Sequence, residues 1–105
     1  MTTRSVYVVE LDLKVLSNKK FMRKNPNYQE GMRCFYVGMT GLSPEDRFSN
    51  HKRGYKGSRF VRIYGKCLCP QEYEHLNPMT YKDACSMEVQ LATDLRNKGH
   101  AVWQN

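Results

Sequence analysis

One amphipathic segment dominates this chain of 105 residues. From Thr80 to Lys98 the apolar residues Tyr81, Ala84, Cys85, Leu91, Ala92 and Leu95 recur at helical spacing. Glu88 lies inside that stripe, four residues after Ala84 and three before Leu91. A carboxylate aimed at a core is costly unless a cation, a hydrogen-bond network or a metal meets it. The plainest partner would be Arg47 or a neighbouring lysine in an ion pair. The rest of the chain gives a reason to expect a metal instead.

The length allows one domain, residues 1–105, and 40% apolar residues suffice for a modest core. No apolar run approaches the roughly 20 residues that span a membrane. The opening Met-Thr-Thr-Arg-Ser lacks the apolar stretch of a secretory signal, so the expected location is the cytoplasm. Cys67 and Cys69 have no second close Cys or His pair to complete a zinc-finger spacing. With Cys34 and Cys85 they read as reduced thiols serving as small apolar residues.

The net charge of +7 is gathered in two places. Lys14, Lys19, Lys20, Arg23, Lys24 and Arg33 share their stretch with one acid, Glu30. Arg47, Lys52, Arg53, Lys56, Arg59, Arg62 and Lys66 share theirs with none. Such clusters, interleaved with Phe21, Tyr55 and Phe60, suit a polyanion, with nucleic acid the first expectation.

Ser5 to Leu13 and Met32 to Met39 read as strands that pair antiparallel across a long basic excursion with a short helix near Lys19 to Arg23. Ser43 as cap, Pro44 at the first position and the acids Glu45 and Asp46 start a helix that stops before Gly54. Arg47 and His51, four apart, share a face of it, and Phe48 points to the core. Ser58 to Tyr64 is ambiguous between helix and strand. Lys66 to Leu68 suits a third strand and His100 to Trp103 a final short one. Thr80 with Asp83 opens the last helix and Gly99 ends it. The fold class expected is α/β: a small antiparallel sheet of about three strands flanked by helices.

These pieces, in this order, resemble the GIY-YIG endonuclease superfamily over nearly the whole chain. Tyr36-Val37-Gly38-Met39-Thr40 is similar to the family's Tyr-Ile-Gly-x-Thr motif. The first motif keeps only Tyr7, with Ser5 or Val6 where glycine is usual. The run from Pro44 through Arg47 and His51 to Gly54 resembles small standalone bacterial or phage members.

The resemblance implies a metal-dependent DNA endonuclease. Glu88 would hold one Mg2+ or Mn2+, a cation that takes one or two protein carboxylates and keeps several waters. Arg47 would grip the scissile phosphate through its planar fork. Tyr7 would act as general base, with Tyr36 supporting it or orienting water. His51 would orient Tyr7, relay its proton or contact phosphate. Lys19, Lys20, Arg23, Lys24, Lys52, Lys56 and Arg59 would contact the nucleic-acid backbone. Family members often place an asparagine after the glutamate helix. Here His100 stands twelve residues after Glu88, and Asn105 is the other option. Specificity would come from the Lys14 to Arg33 excursion or from a protein partner, and a homodimer would supply two sites for a double-strand cut. The competing expectations are a catalytically silent nucleic-acid-binding module of the same fold and a basic protein-interaction domain.

Overall fold

A run of β-branched and aromatic residues near the N-terminus forms the central strand. The structure, a computed structural model, describes residues 3–105. Strand β1 (Thr3–Leu11) is buried at every position from 6 to 9. Burial on both faces explains why its apolar residues run together instead of alternating. β2 (Cys34–Thr40) pairs with it antiparallel, Tyr7 opposite Gly38 and Val9 opposite Tyr36. The link between them holds a short 3-10 turn at Leu13–Ser17 and helix α1 (Lys19–Arg23), capped by the Asn18 side chain and anchored by buried Phe21.

Helix α2 (Pro44–Lys52) starts as expected. Ser43 caps it by accepting from the Asp46 N–H, with Pro44 in the first turn. The ambiguous segment is helical, α3 (Arg59–Tyr64), and runs into β3 (Gly65–Leu68), which pairs antiparallel with β1. A two-residue strand, β4 (Met79–Thr80), pairs with the start of β1. Helix α4 (Tyr81–Asn97) is capped by Thr80, whose hydroxyl accepts from the Asp83 N–H. Gly99, at φ +98°, lets the chain turn into β5 (Ala101–Gln104).

The sheet therefore has five strands, in the order β3-β1-β2-β5 with β4 on β1, not about three. Nor is it purely antiparallel, because β5 runs parallel to β2. The physical reason is α4, a crossover long enough to return the chain in the same direction, as parallel neighbours require. β4 is too short to leave a periodic signature.

Register sorts the side chains. Residues opposite one another share a face. Tyr7, Gly38, Tyr36 and Trp103 lie on one side of the sheet, and Val8, Val37 and Gln104 on the other. His51 of α2, Phe21 of α1 and Phe60 of α3 meet rings of the first face. Helix α4 buries Ala84, Glu88, Leu91, Ala92 and Leu95. Phe48 is half-buried against the core. All four cysteines are free, and burial pushes the Cys34 and Cys69 thiols up to about 11. Among the described residues, no helix is long and apolar enough to cross a membrane.

Buried Asn25 joins three separate pieces. Its amide donates to the carbonyls of Phe21 and Val102, and its oxygen accepts from the Val102 N–H and from Arg96 Nε. Asn25→Ala would leave buried backbone groups unpaired. We expect it to cost about 2–3 kcal/mol, within the range for orphaned buried partners, as a lowered midpoint in urea unfolding.

Candidate active site

Tyr7 and Tyr36 sit two residues out of register on the same face, a diagonal pair across the first hairpin. Such neighbours are within reach of aromatic side chains, and their ring centroids are 6.1 Å apart. Gly38 makes the arrangement possible. A Cβ there would stand 2.7 Å from the Tyr7 hydroxyl and 3.1 Å from Tyr36 Cε1. The glycine of the second motif is thus the floor on which the Tyr7 ring lies.

His51 completes the cluster from α2. Its ring is 5.9 Å from Tyr7 and 5.4 Å from Tyr36. The Ser58 N–H donates to His51 Nδ1 at 2.7 Å, and His51 Nε2 lies 2.7 Å from the Tyr7 hydroxyl. Burial, then the Arg47 charge, lowers the His51 pKa to about 4, so the ring is neutral at neutral pH. With Nδ1 accepting, the single ring proton is on Nε2, which donates to the Tyr7 oxygen. Of the roles expected for His51, this geometry suits orienting Tyr7. A nitrogen that already carries its proton does not accept another.

Arg47, one turn before His51, is half-buried and donates from Nη2 to the Lys56 carbonyl at 3.0 Å. Its charge favours ionisation of both tyrosines, but burial dominates. The Tyr7 pKa is raised far above its ordinary value by burial and then by Tyr36, and the Tyr36 pKa is raised by burial. The loop at residues 54–58 closes over the cluster. Gly57 packs so tightly that a Cβ would come within 2.8 Å of His51 Nδ1, and Lys56 holds a φ of +49°, a conformation lysine rarely adopts. Tyr7, Tyr36 and His51 are each at most 1% exposed, so they form a buried cluster.

Glu88 approaches from the other side of the sheet. It is 6% exposed and makes no ion pair with Arg47 or any lysine; the ion pairs among the described residues join Glu10 to Arg33 and Lys66. Gln104 Nε2 donates to Glu88 Oε1 at 3.1 Å, while Oε2 is buried with no hydrogen-bond partner among the described residues. Burial raises the carboxyl pKa and the Gln104 bond opposes it. The Glu88 charge reaches Tyr36 and disfavours its ionisation, which links the carboxylate to the tyrosine pair.

Neither residue expected to support Glu88 bonds it, although Gln104 Nε2 donates both to Glu88 and to the Asn105 carbonyl. His100 accepts from the Arg33 N–H and packs edge-on against Phe35. Asn105 bonds Val37 through its backbone. Gln104, which no motif pointed to, takes the place beside Glu88. Ser58 and Gly57 were likewise missed, since a backbone N–H and an absent Cβ leave no chemical signature in a sequence. Among the basic residues, Lys52 is committed to the fold. Its ammonium donates to the carbonyls of Val61, Arg62 and Gly65 at the end of α3, which uses its three donors. Lys19, Arg23 and Lys24 are exposed around α1. Lys20 and Arg59 line one cleft of about 300 Å3, and the Lys56 ammonium lies 5.6 Å over the Tyr55 ring.

No protein-family model, curated protein or solved structure matches this chain. Among the described residues, no three His, Cys, Asp or Glu side chains gather as a metal cage. The unpartnered Glu88 Oε2 fits the sparser demand of Mg2+ or Mn2+, one carboxylate oxygen with water and substrate completing the shell.

Two opposite pH dependences follow. Neutral burial of His51 stabilises the fold fully above pH 6.5, and that contribution is lost as pH falls towards about 4. It amounts to about 3 kcal/mol at most, and His51→Gln should flatten the fall of Tm across that window. Glu88 acts the other way, because its raised pKa makes the charged form a burden at neutral pH. Glu88→Gln should raise Tm at neutral pH, with the gain fading as pH falls and gone below the ordinary 4.5. A Tm profile against pH for both variants and the parent checks both signs.

Proposed function

We propose that this chain is a GIY-YIG-type endonuclease that hydrolyses phosphodiester bonds in DNA with a divalent metal. The observation that carries the reading is the buried cluster of Tyr7, Tyr36 and His51 with half-buried Arg47, and Glu88 left half-satisfied across the sheet, its charge reaching Tyr36. A core does not need two tyrosines and a histidine bonded in apolar surroundings, nor an orphaned carboxylate oxygen. Polar groups in such positions cost stability and are retained where chemistry uses them.

In this reading Arg47 exchanges the Lys56 carbonyl for a phosphate oxygen, which frees Lys56 and opens the cluster while the Ser58 N–H stays on His51 Nδ1. Tyr7 gives its proton to solvent, and His51 Nε2–H and the Arg47 guanidinium both stabilise the phenolate that remains. The phenolate takes the proton of the attacking water as the water oxygen forms the new bond to phosphorus. The leaving oxygen departs and takes a proton from solvent. Tyr36 orients the water. A Mg2+ or Mn2+ held by Glu88 would supply charge neutralisation on the phosphate and help depress the Tyr7 pKa. Gln104 holds the carboxylate so that one oxygen stays free. The basic residues Lys19, Lys20, Arg23, Lys24, Lys56 and Arg59 supply the salt-dependent grip on the DNA backbone.

The burial of both tyrosine hydroxyls favours a second reading, a catalytically silent module that binds nucleic acid through the same basic surface. The missing glycine of the first motif points the same way. A supercoiled plasmid incubated with and without Mg2+ separates the two. We expect nicked or linear product only with the metal. Glu88→Ala should abolish cleavage and leave binding in filter retention nearly unchanged. Arg47→Ala should lower the single-turnover rate by about 10²–10³-fold, the usual loss for one preorganised electrostatic contact. Full-rate cleavage by Glu88→Ala in Mg2+ would rule out the mechanism, and no cleavage by the parent protein would favour the binding module.

A further inference from the structure

We infer that the open edge beside β5 holds an unpaired nucleotide of the substrate strand, its base on Trp103 and its phosphate between Lys24 and Arg96. The inference rests on the nucleic-acid reading above and names the form of substrate that site would take.

Trp103 is half-buried and stands between two basic clefts. On one side Phe60 buttresses it, with centroids 4.6 Å apart, and Phe21 stacks behind at 6.4 Å. Beyond Phe60 lies the cleft lined by Lys20 and Arg59. On the other side a cleft of about 240 Å3 is lined by Lys24, Arg96, Trp103 and Gln104. That is below the roughly 300–1,000 Å3 of enclosed small-molecule sites and suits one base in an open groove. A neighbouring cleft of about 190 Å3 shares Lys24 and Arg96 and adds His100, so a strand passing from one to the other crosses the same two cations.

The chemistry is that of single-strand binding: an aromatic platform on a basic track, with stacking that tolerates any base. The Lys20 ammonium lies over the Trp103 ring, 5.6 Å from its centroid, and gives way to the incoming base to meet its phosphate. Arg96 is held rather than free to wander. Its Nε bonds Asn25 and its Nη2 bonds the Val102 carbonyl, which leaves Nη1 for an anion at a fixed place. The cleft also adjoins the proposed chemistry. Gln104 lines it and donates to Glu88, so a nucleotide seated here is one residue from the metal-holding carboxylate. Paired bases in a duplex are stacked on each other and present no face to Trp103. The site therefore selects frayed, flapped or single-stranded DNA.

Trp103 is the one tryptophan of the chain and reports on its own occupancy. The experiment uses the whole protein without metal, to prevent cleavage, and follows Trp103 emission together with anisotropy of a dye-labelled oligomer. A short oligothymidylate should quench the emission saturably, in step with the rise in anisotropy. The same oligomer with abasic residues, and a matched duplex, should raise anisotropy with the emission little changed. Lys24→Gln should reduce the salt slope for the single strand by about 0.7, one phosphate contact. Trp103→Leu should weaken oligothymidylate binding about 5- to 100-fold, the worth of one base stack, with the duplex unaffected. Equal quenching by the abasic oligomer, or binding of oligothymidylate with the emission unmoved, would overturn the site while leaving the nuclease reading intact. No anisotropy change with any of the oligomers would overturn both.

Discussion

The register of β1 on β2 is the constraint from which the rest of the molecule hangs. Placing Tyr7 over Gly38 puts a phenol ring where a neighbouring side chain would otherwise stand. It also sets Tyr36 two positions away on the same face, close enough for the two hydroxyls to affect one another. A slip of β1 by one residue would send Tyr7 to the α4 face, away from Tyr36, and bring Val6 and Val8 round to meet His51. The helices then follow: α2 must bring His51 to the Tyr7 hydroxyl, and the loop after it must come close enough for Ser58 to reach the far ring nitrogen. A two-sided bond of that kind admits one tautomer, one ring orientation and little else.

The polar groups in this interior are unequally satisfied, and the pattern is informative. Asn25 uses both ends of its amide and Asn77 does the same against the backbone of Val6. Both tie distant segments together and have no chemistry to spare. Glu88 is different, with one oxygen bonded and the other bare. The two amides show that this chain can complete a buried hydrogen-bond set, while among the described residues Glu88 Oε2 and the Tyr73 hydroxyl are left without a partner.

Much of this was legible in the sequence, in the places where local chemistry decides structure. The caps at Ser43 and Thr80 and the turn at Gly99 set helix ends within a residue or two. Glu88 was readable as buried because helical periodicity is regular over a segment as long as α4. What escaped was set by long-range geometry. His100 to Trp103 looked like a strand, but its parallel pairing with β2 depends on the path of α4. Gln104 meets Glu88 only through that pairing. Lys52 was counted as a cation for phosphate, whereas its hydrogens go to the end of α3, a helix six residues long. The burial of the tyrosines depends on a loop whose own residues, Lys56 and Gly57, look like ordinary turn material.

Asn25 and Arg96 have another effect through their bonds to Val102. β5 is the last strand of the sheet on its side, and a terminal strand presents backbone donors and acceptors to any passing extended chain. The two side chains occupy the N–H and C=O of Val102 that would start such a pairing. They act as a stopper on sheet growth, made of side chains rather than of a further strand. A basic protein that gathers along a polyanion meets copies of itself at high local concentration, where strand-to-strand addition between molecules is the main hazard. With its outer edge plugged at the centre, this sheet can be crowded without knitting one copy to the next.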